Sequence, residues 1–245
     1  MSRSTKKNAK KLSFGIALGG GGPLGGIYEI GALRALDEAL DGLDFNDLDA
    51  YVGVNSGSFV AANLANQMTP AQMCRIFVRN ESDVHPFHAD VFYKPAFSEY
   101  IQRCKAVPKI LYRACMNLIS HPHDQSVLES LTGLAQAIPS GIFDNEGFHQ
   151  YVSKSYSSIG RTNDFKSLRK KLMILATNIE TGETVRFGSE GHLDIPISKA
   201  IQSSMASPGI YKPVEVDDQY YVDGTLNKGM HVSVAFDHGA DIVFA

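Results

Sequence analysis

The chain has 245 residues, 44% of them hydrophobic, enough for the core of one large domain or two small ones. Lys plus Arg number 23 against 26 Asp plus Glu, a net charge of −3, so no global basic field points to nucleic acid as a partner. Cys74, Cys104 and Cys115 lack metal-ligand spacing, no signal-peptide core is present, and no apolar run nears the roughly 20 residues of a spanning helix; the expectation is a cytoplasmic protein that meets membranes only peripherally.

Residues 1–11, with Arg3, Lys6, Lys7, Lys10 and Lys11, read as a disordered basic arm ahead of a domain covering 12–245. Leu12, Phe14, Ile16 and Leu18 alternate with Ser13, Gly15 and Ala17, a strand that runs into the glycines of 19–22. After Gly25-Gly26, the residues Ile27, Ile30, Leu33, Leu36 and Leu40 recur every three or four positions, as one face of a helix requires. A second strand near 50–54, a sharp turn and a helix near 57–66 repeat that order. Two adjacent strand-turn-helix units imply a parallel sheet with its functional loops at the carboxyl ends of the strands.

Residues 70–165 read as a helical insertion punctuated by Pro86, Pro95, Pro108, Pro122 and Pro139. Its segment 92–119 mixes Phe92, Tyr93, Phe97 and Ile101 with Lys94, Arg103, Lys105 and Lys109, a composition that suits either a solvated helix face or peripheral contact with a membrane. Leu172–Ala176 predicts a buried central strand, and Thr181-Gly182 a hairpin toward Val185-Arg186-Phe187. A helix over 197–205 ends before Pro208-Gly209, and the strand 219–222 delivers Asp223-Gly224 to a turn. A last helix with Val232, Ala235 and Phe236 inward closes at Gly239, and the strand 241–245 ends the sequence, which suggests a C-terminally truncated piece.

The pentapeptide Gly53-Val54-Asn55-Ser56-Gly57 has the frame of a nucleophile elbow with asparagine at its tip. A strand turning this sharply into a helix strains its central residue, and the flanking glycines remove Cβ atoms that would clash. Asparagine tolerates positive φ, so it can hold the turn, yet its carboxamide is no acyl-accepting nucleophile. The glycines are symmetric about residue 55, which argues against Ser56 as nucleophile and gives its N–H to an oxyanion hole.

In order along the chain stand Gly20-Gly21-Gly22-Pro23-Leu24-Gly25, the elbow, Ala206-Ser207-Pro208-Gly209-Ile210-Tyr211-Lys212-Pro213-Val214 and Asp223-Gly224-Thr225. Together they resemble the patatin-like phospholipase family from about Leu12 to Ala245. The resemblance implies a three-layer α/β/α domain with a central, mostly parallel sheet and a helical insertion. It also implies a lipid acyl hydrolase acting on phospholipids or lysophospholipids through a Ser-Asp dyad, with no metal or organic cofactor. Asn55 would occupy the nucleophile position, Asp223 would be the general base, and the N–H groups of Gly20, Gly21, Gly22 and Ser56 would form the oxyanion hole.

Three positions depart from that pattern: Asn55 puts hydrolysis in doubt, Leu24 replaces a common basic residue, and Thr225 replaces a small one at what reads as an exposed turn. Everything else around position 55 suits catalysis, as a single substitution in an otherwise complete site would leave it. A catalytically silent lipid-binding or scaffold protein on the same fold is the alternative. Gly20, Gly22 and Gly25 also satisfy the dinucleotide-binding pattern, but the second strand lacks the acidic residue that would hold a ribose. An α/β-hydrolase triad would enlist His231 or His238, both read as surface residues, and the pairs His85 with His88 and His121 with His123 lack further ligands for a metal.

Overall fold

Strands form where β-branched and apolar residues alternate or run unbroken, and these segments build the centre of the molecule. The computed structural model describes residues 12–81, 87–92, 94–95 and 141–245. Its strands are β1 (Phe14–Leu18), β2 (Ala50–Val54), β3 (Lys94–Pro95), β4 (Gly141–Asp144), β5 (Lys171–Asn178), β6 (Thr184–Phe187), β7 (Gly209–Tyr211), β8 (Val214–Val216), β9 (Gln219–Asp223) and β10 (Ile242–Phe244). Helices α1 (Gly22–Ala39), α2 (Ser56–Ala65), α3 (Pro70–Met73), α4 (Glu146–Tyr156), α5 (Ile197–Ser204) and α6 (Val232–Asp237) pack around them.

The main sheet has the order β10-β1-β2-β5-β9-β8, with β6 also paired to β5. Its β10-β1-β2-β5 half is parallel; β6, β9 and β8 join antiparallel. The two-residue period sorts the strands into two faces. Ile16, Leu18, Tyr51, Leu172 and Ile174 meet Ile30, Leu33, Val60, Leu64 and Ile201 of α1, α2 and α5 in the larger core. Ala17, Val52, Val54, Met173 and Leu175 face the other way, onto Val234 and Ala235 of α6. The result is the expected layered α/β/α fold.

Several boundaries differ from the sequence reading. Helix α1 starts at Gly22, because Gly21 (φ 152) and Gly22 (φ 61) complete the turn and Pro23 is preset for a first helical turn. Its buried face is Gly26, Ile30 and Leu33, while Ile27 and Leu36 border cavities on either side and are exposed. Phe236 is also exposed, since the six-residue α6 buries only Val234 and Ala235. The stretch 70–165 contributes strands as well as helices: β3 and β4 join β7 in a small second sheet. Most of the basic and apolar segment 92–119, together with the arm 1–11, Cys104, Cys115, His85, His121 and His123, lies outside the described residues.

Candidate active site

The elbow forms because two glycines permit it. A Cβ at Gly53 would overlap the backbone of Gly57 and Ser58, and one at Gly57 would overlap that of Leu18 and Gly19. Closure at Gly57 is sealed by its N–H donating to Gly19 O at 2.8 Å, which ties the elbow to the glycine loop. At the tip, Asn55 adopts φ 54 and ψ −125. Its N–H donates to Ser204 Oγ at 2.9 Å, Ser204 Oγ donates to Leu175 O at 2.6 Å, and Ser58 Oγ donates to Asn55 O at 2.5 Å. A residue in a disfavoured conformation is thus held from three sides.

The Asn55 carboxamide is fully engaged. Its Oδ1 accepts N–H groups from Gly21 at 3.3 Å, Gly22 at 2.9 Å and Ser56 at 2.7 Å. Its Nδ2 donates to Asp223 Oδ2 at 2.5 Å and to Ser207 Oγ at 3.3 Å. Both glycines adopt positive φ, which turns consecutive N–H groups toward one point as anion-binding nests do. Gly20 donates no bond to Asn55 in this arrangement. Its contribution is the missing side chain: a Cβ there would lie 2.6 Å from Thr225 Cγ2 and 3.1 Å from Asn55 Cβ.

Asp223 is buried at the end of β9, beside Ala176 of β5. Its carboxylate is divided between two sets of donors. Oδ1 accepts from Thr225 N and Thr225 Oγ1, each at 2.9 Å, and Oδ2 accepts from Asn55 and, at 2.6 Å, from Ser207 Oγ. Thr225 is therefore part of the site, not an incidental change at an exposed turn. The backbone of Asp223 is fixed by its N–H to Ala206 O at 3.0 Å and by Thr177 Oγ1 to its own carbonyl at 3.1 Å.

Ser204, Ser207 and Ser58 escaped the sequence reading as site residues, and Thr225 entered it only as a change at an exposed turn. Only Ser207 and Thr225 fall in the quoted motifs; a serine at Ser204 has no signal beyond its helix. Of the two histidines weighed for a triad, His231 is buried at the head of α6 with Nε2 unpartnered, and burial pulls its pKa down. His238 is partly buried, its Nδ1 2.7 Å from Val234 O. Neither is the surface residue expected, because α6 packs that side of the sheet. Neither is among the partners of the Asp223 carboxylate.

Beside Ser56 opens an apolar cavity of about 210 Å³, lined by Leu24 and Ile27 of α1 and by Phe59, Phe77, Phe92 and Phe148. The aromatic wall is mutually packed: Phe59 contacts Phe77 and Phe148 edge-on, with centroids 4.9 and 5.3 Å apart, and Phe92 stacks on Phe148 at 4.7 Å. Leu24 (79% exposed) and Ile27 form the exposed apolar part of its lining. Among the described residues no helix is long and apolar enough to cross a membrane, and no group of three or more His, Cys, Asp or Glu could hold a metal ion.

The family model of the patatin-like phospholipases matches residues 16–235. The chain belongs to the patatin-like phospholipase family. Among solved structures it is similar to VipD from Legionella pneumophila, at 16% identity and TM-score 0.46, over 88% of this chain and 46% of that one. It is also similar to ExoU of the Pseudomonas aeruginosa type III secretion system in complex with SpcU, at 19% identity and TM-score 0.36, over 79% and 38% of the two chains. The type III effector ExoU gives 17% identity and TM-score 0.40, over 80% and 39%. The chain spans less than half the length of each of these proteins.

Proposed function

We propose that this domain is a lipid acyl hydrolase of the phospholipase A or lysophospholipase type in which Asn55 silences the nucleophile position. Asp223 would serve as general base and the N–H groups of Gly21, Gly22 and Ser56 as oxyanion donors, acting on fatty acyl esters. The observation that carries this reading is the double engagement of one side chain: Asn55 accepts from all three N–H groups and donates to Asp223. Donors and base are thus focused on residue 55, where a serine Oγ would attack an ester carbonyl and pass its proton to Asp223. The aromatic cavity beside Ser56 suits an acyl chain, each buried methylene contributing about 0.8 kcal/mol. The exposed Leu24 and Ile27 in its lining suit peripheral contact with a lipid surface.

The same network favours the second reading, a silent lipid-binding domain. Asn55 leaves no N–H of the three unsatisfied, so the arrangement is stable as it stands. Asn55→Ser separates the two: fatty-acid release from phospholipid vesicles by Asn55→Ser, lost in Asn55→Ser/Asp223→Asn, is the expected result. No release from any acyl ester by the Asn55→Ser protein would overturn the hydrolase reading and leave lipid binding.

A further inference from the structure

Replacing the nucleophile leaves the base in place, and Asp223 has another hydroxyl beside it. Ser207 Oγ donates to Asp223 Oδ2 at 2.6 Å, to the same oxygen that receives Asn55 Nδ2. Ser207 is only half-buried, so a reagent can reach it, unlike Ser204, which is fully buried and committed to Leu175 O. Its backbone is fixed: Pro208 restricts it to an extended conformation, and its carbonyl accepts from Ile210 N at 3.1 Å and Tyr211 N at 2.9 Å. A hydroxyl held on a buried carboxylate by a rigid loop is the arrangement that activates a serine.

We propose that Ser207 is a second acyl-accepting hydroxyl, sharing Asp223 as base and positioned by Asn55 Nδ2. The inference rests on the reading of this site as one for carboxylic esters, but not on residue 55 as the attacking group. Asn55 is tethered through Oδ1 to Gly21, Gly22 and Ser56, which aims Nδ2 at Ser207 Oγ from 3.3 Å. In the step itself, a lone pair of Ser207 Oγ bonds to the ester carbonyl carbon while the Oγ proton passes to Asp223 Oδ2. The carbonyl π pair moves onto the carbonyl oxygen. It returns as the ester C–O bond breaks, and the leaving alkoxide takes the proton from Asp223. Water then attacks the acyl carbon and gives a proton to Asp223; Ser207 Oγ leaves with that proton and the carboxylic acid is released. An activity that survives at an asparagine elbow follows from two hydroxyl-sized positions having one base between them.

The test uses the wild-type protein and an alkyl fluorophosphonate, whose phosphorus accepts the serine oxygen as HF departs. Intact mass and peptide mapping are expected to show one adduct, on Ser207, absent from Ser207→Ala and formed about 100-fold more slowly in Asp223→Asn. No adduct, an adduct on any other residue, or an undiminished rate in Asp223→Asn overturns the proposal, and mapping on the wild type does not depend on a variant folding. Asn55→Ser assayed in parallel separates the two readings. Fatty-acid release by that variant without a wild-type Ser207 adduct sinks only the Ser207 role, whereas a Ser207 adduct without such release sinks only the residue-55 reading.

Discussion

Ser204 Oγ accepts the backbone N–H of Asn55 at 2.9 Å and hands its own proton to Leu175 O, joining the strained elbow tip to the neighbouring strand. All three groups are buried, so Ser204→Ala leaves a donor and an acceptor unpaired. The expected loss is about 1–3 kcal/mol, read as a lower urea midpoint with an unchanged slope. A midpoint equal to wild type would show that the elbow does not need this bridge.

Thr225→Val keeps the backbone donor to Asp223 Oδ1 and removes the hydroxyl one. The carboxylate is then held by one donor fewer and can turn away from residue 55. In the Asn55→Ser background, kcat/KM at neutral pH is therefore expected to fall by about ten-fold. An unchanged kcat/KM would remove Thr225 from the site.

The Phe77 ring closes part of the aromatic cavity against Phe59. Asn55→Ser/Phe77→Ala should accept two or three more methylenes, worth about 1.5–2.5 kcal/mol, a roughly ten- to fifty-fold change in relative kcat/KM toward longer chains. Release rates from a series of acyl chain lengths read this directly, and an unaltered preference would place the chain elsewhere.

Two titratable groups, the part-buried Glu29 and the buried His231, give opposite pH slopes to stability. Burial pushes the Glu29 carboxyl up to about 8, against a backbone hydrogen bond from Gly19 that opposes it. Between about 4.5 and 8 the unfolded carboxyl is ionised and the folded one protonated, so stability falls as pH rises through that window and levels off on either side. For His231 the folded pKa lies below the ordinary 6.5, so its contribution is intact above 6.5 and is lost as pH falls below it. Urea midpoints across this range should flatten on the alkaline side in Glu29→Gln and on the acid side in His231→Gln; wild-type slopes in both variants would contradict the assignments.

The strands, the order of the helices and the elbow were legible because they rest on local pattern: two-residue alternation in β1, an unbroken apolar run in β5, glycines flanking Asn55. Asn55, Ser56 and Asp223 were placed by motif, and the structure brings them together through the register of β2, β5 and β9. What local pattern could not carry were the supporting hydroxyls. Ser204 and Ser207 come from one helix end and the loop after it, and only the crossing of α5 behind the sheet brings them to residue 55. The crowding that requires glycine at position 20 was not legible either, since a missing Cβ and a donated N–H leave the same letter in the sequence. His231 looked exposed because a six-residue helix shows too little periodicity to tell which side it buries.

The attachment of β9 to β5 makes the site sensitive to alignment. Asp223 stands opposite Ala176, and successive residues of a strand point to opposite faces. A slip of one residue would present Val222 or Gly224 to Asn55 and turn the carboxylate away from the glycine loop. The bonds from Asp223 N to Ala206 O and from Thr177 Oγ1 to Asp223 O act as a detent against that slip. Insertions in the turn between β8 and β9 can therefore be absorbed at the sheet edge, whereas a single-residue deletion within β9 would erase the base while leaving a folded domain.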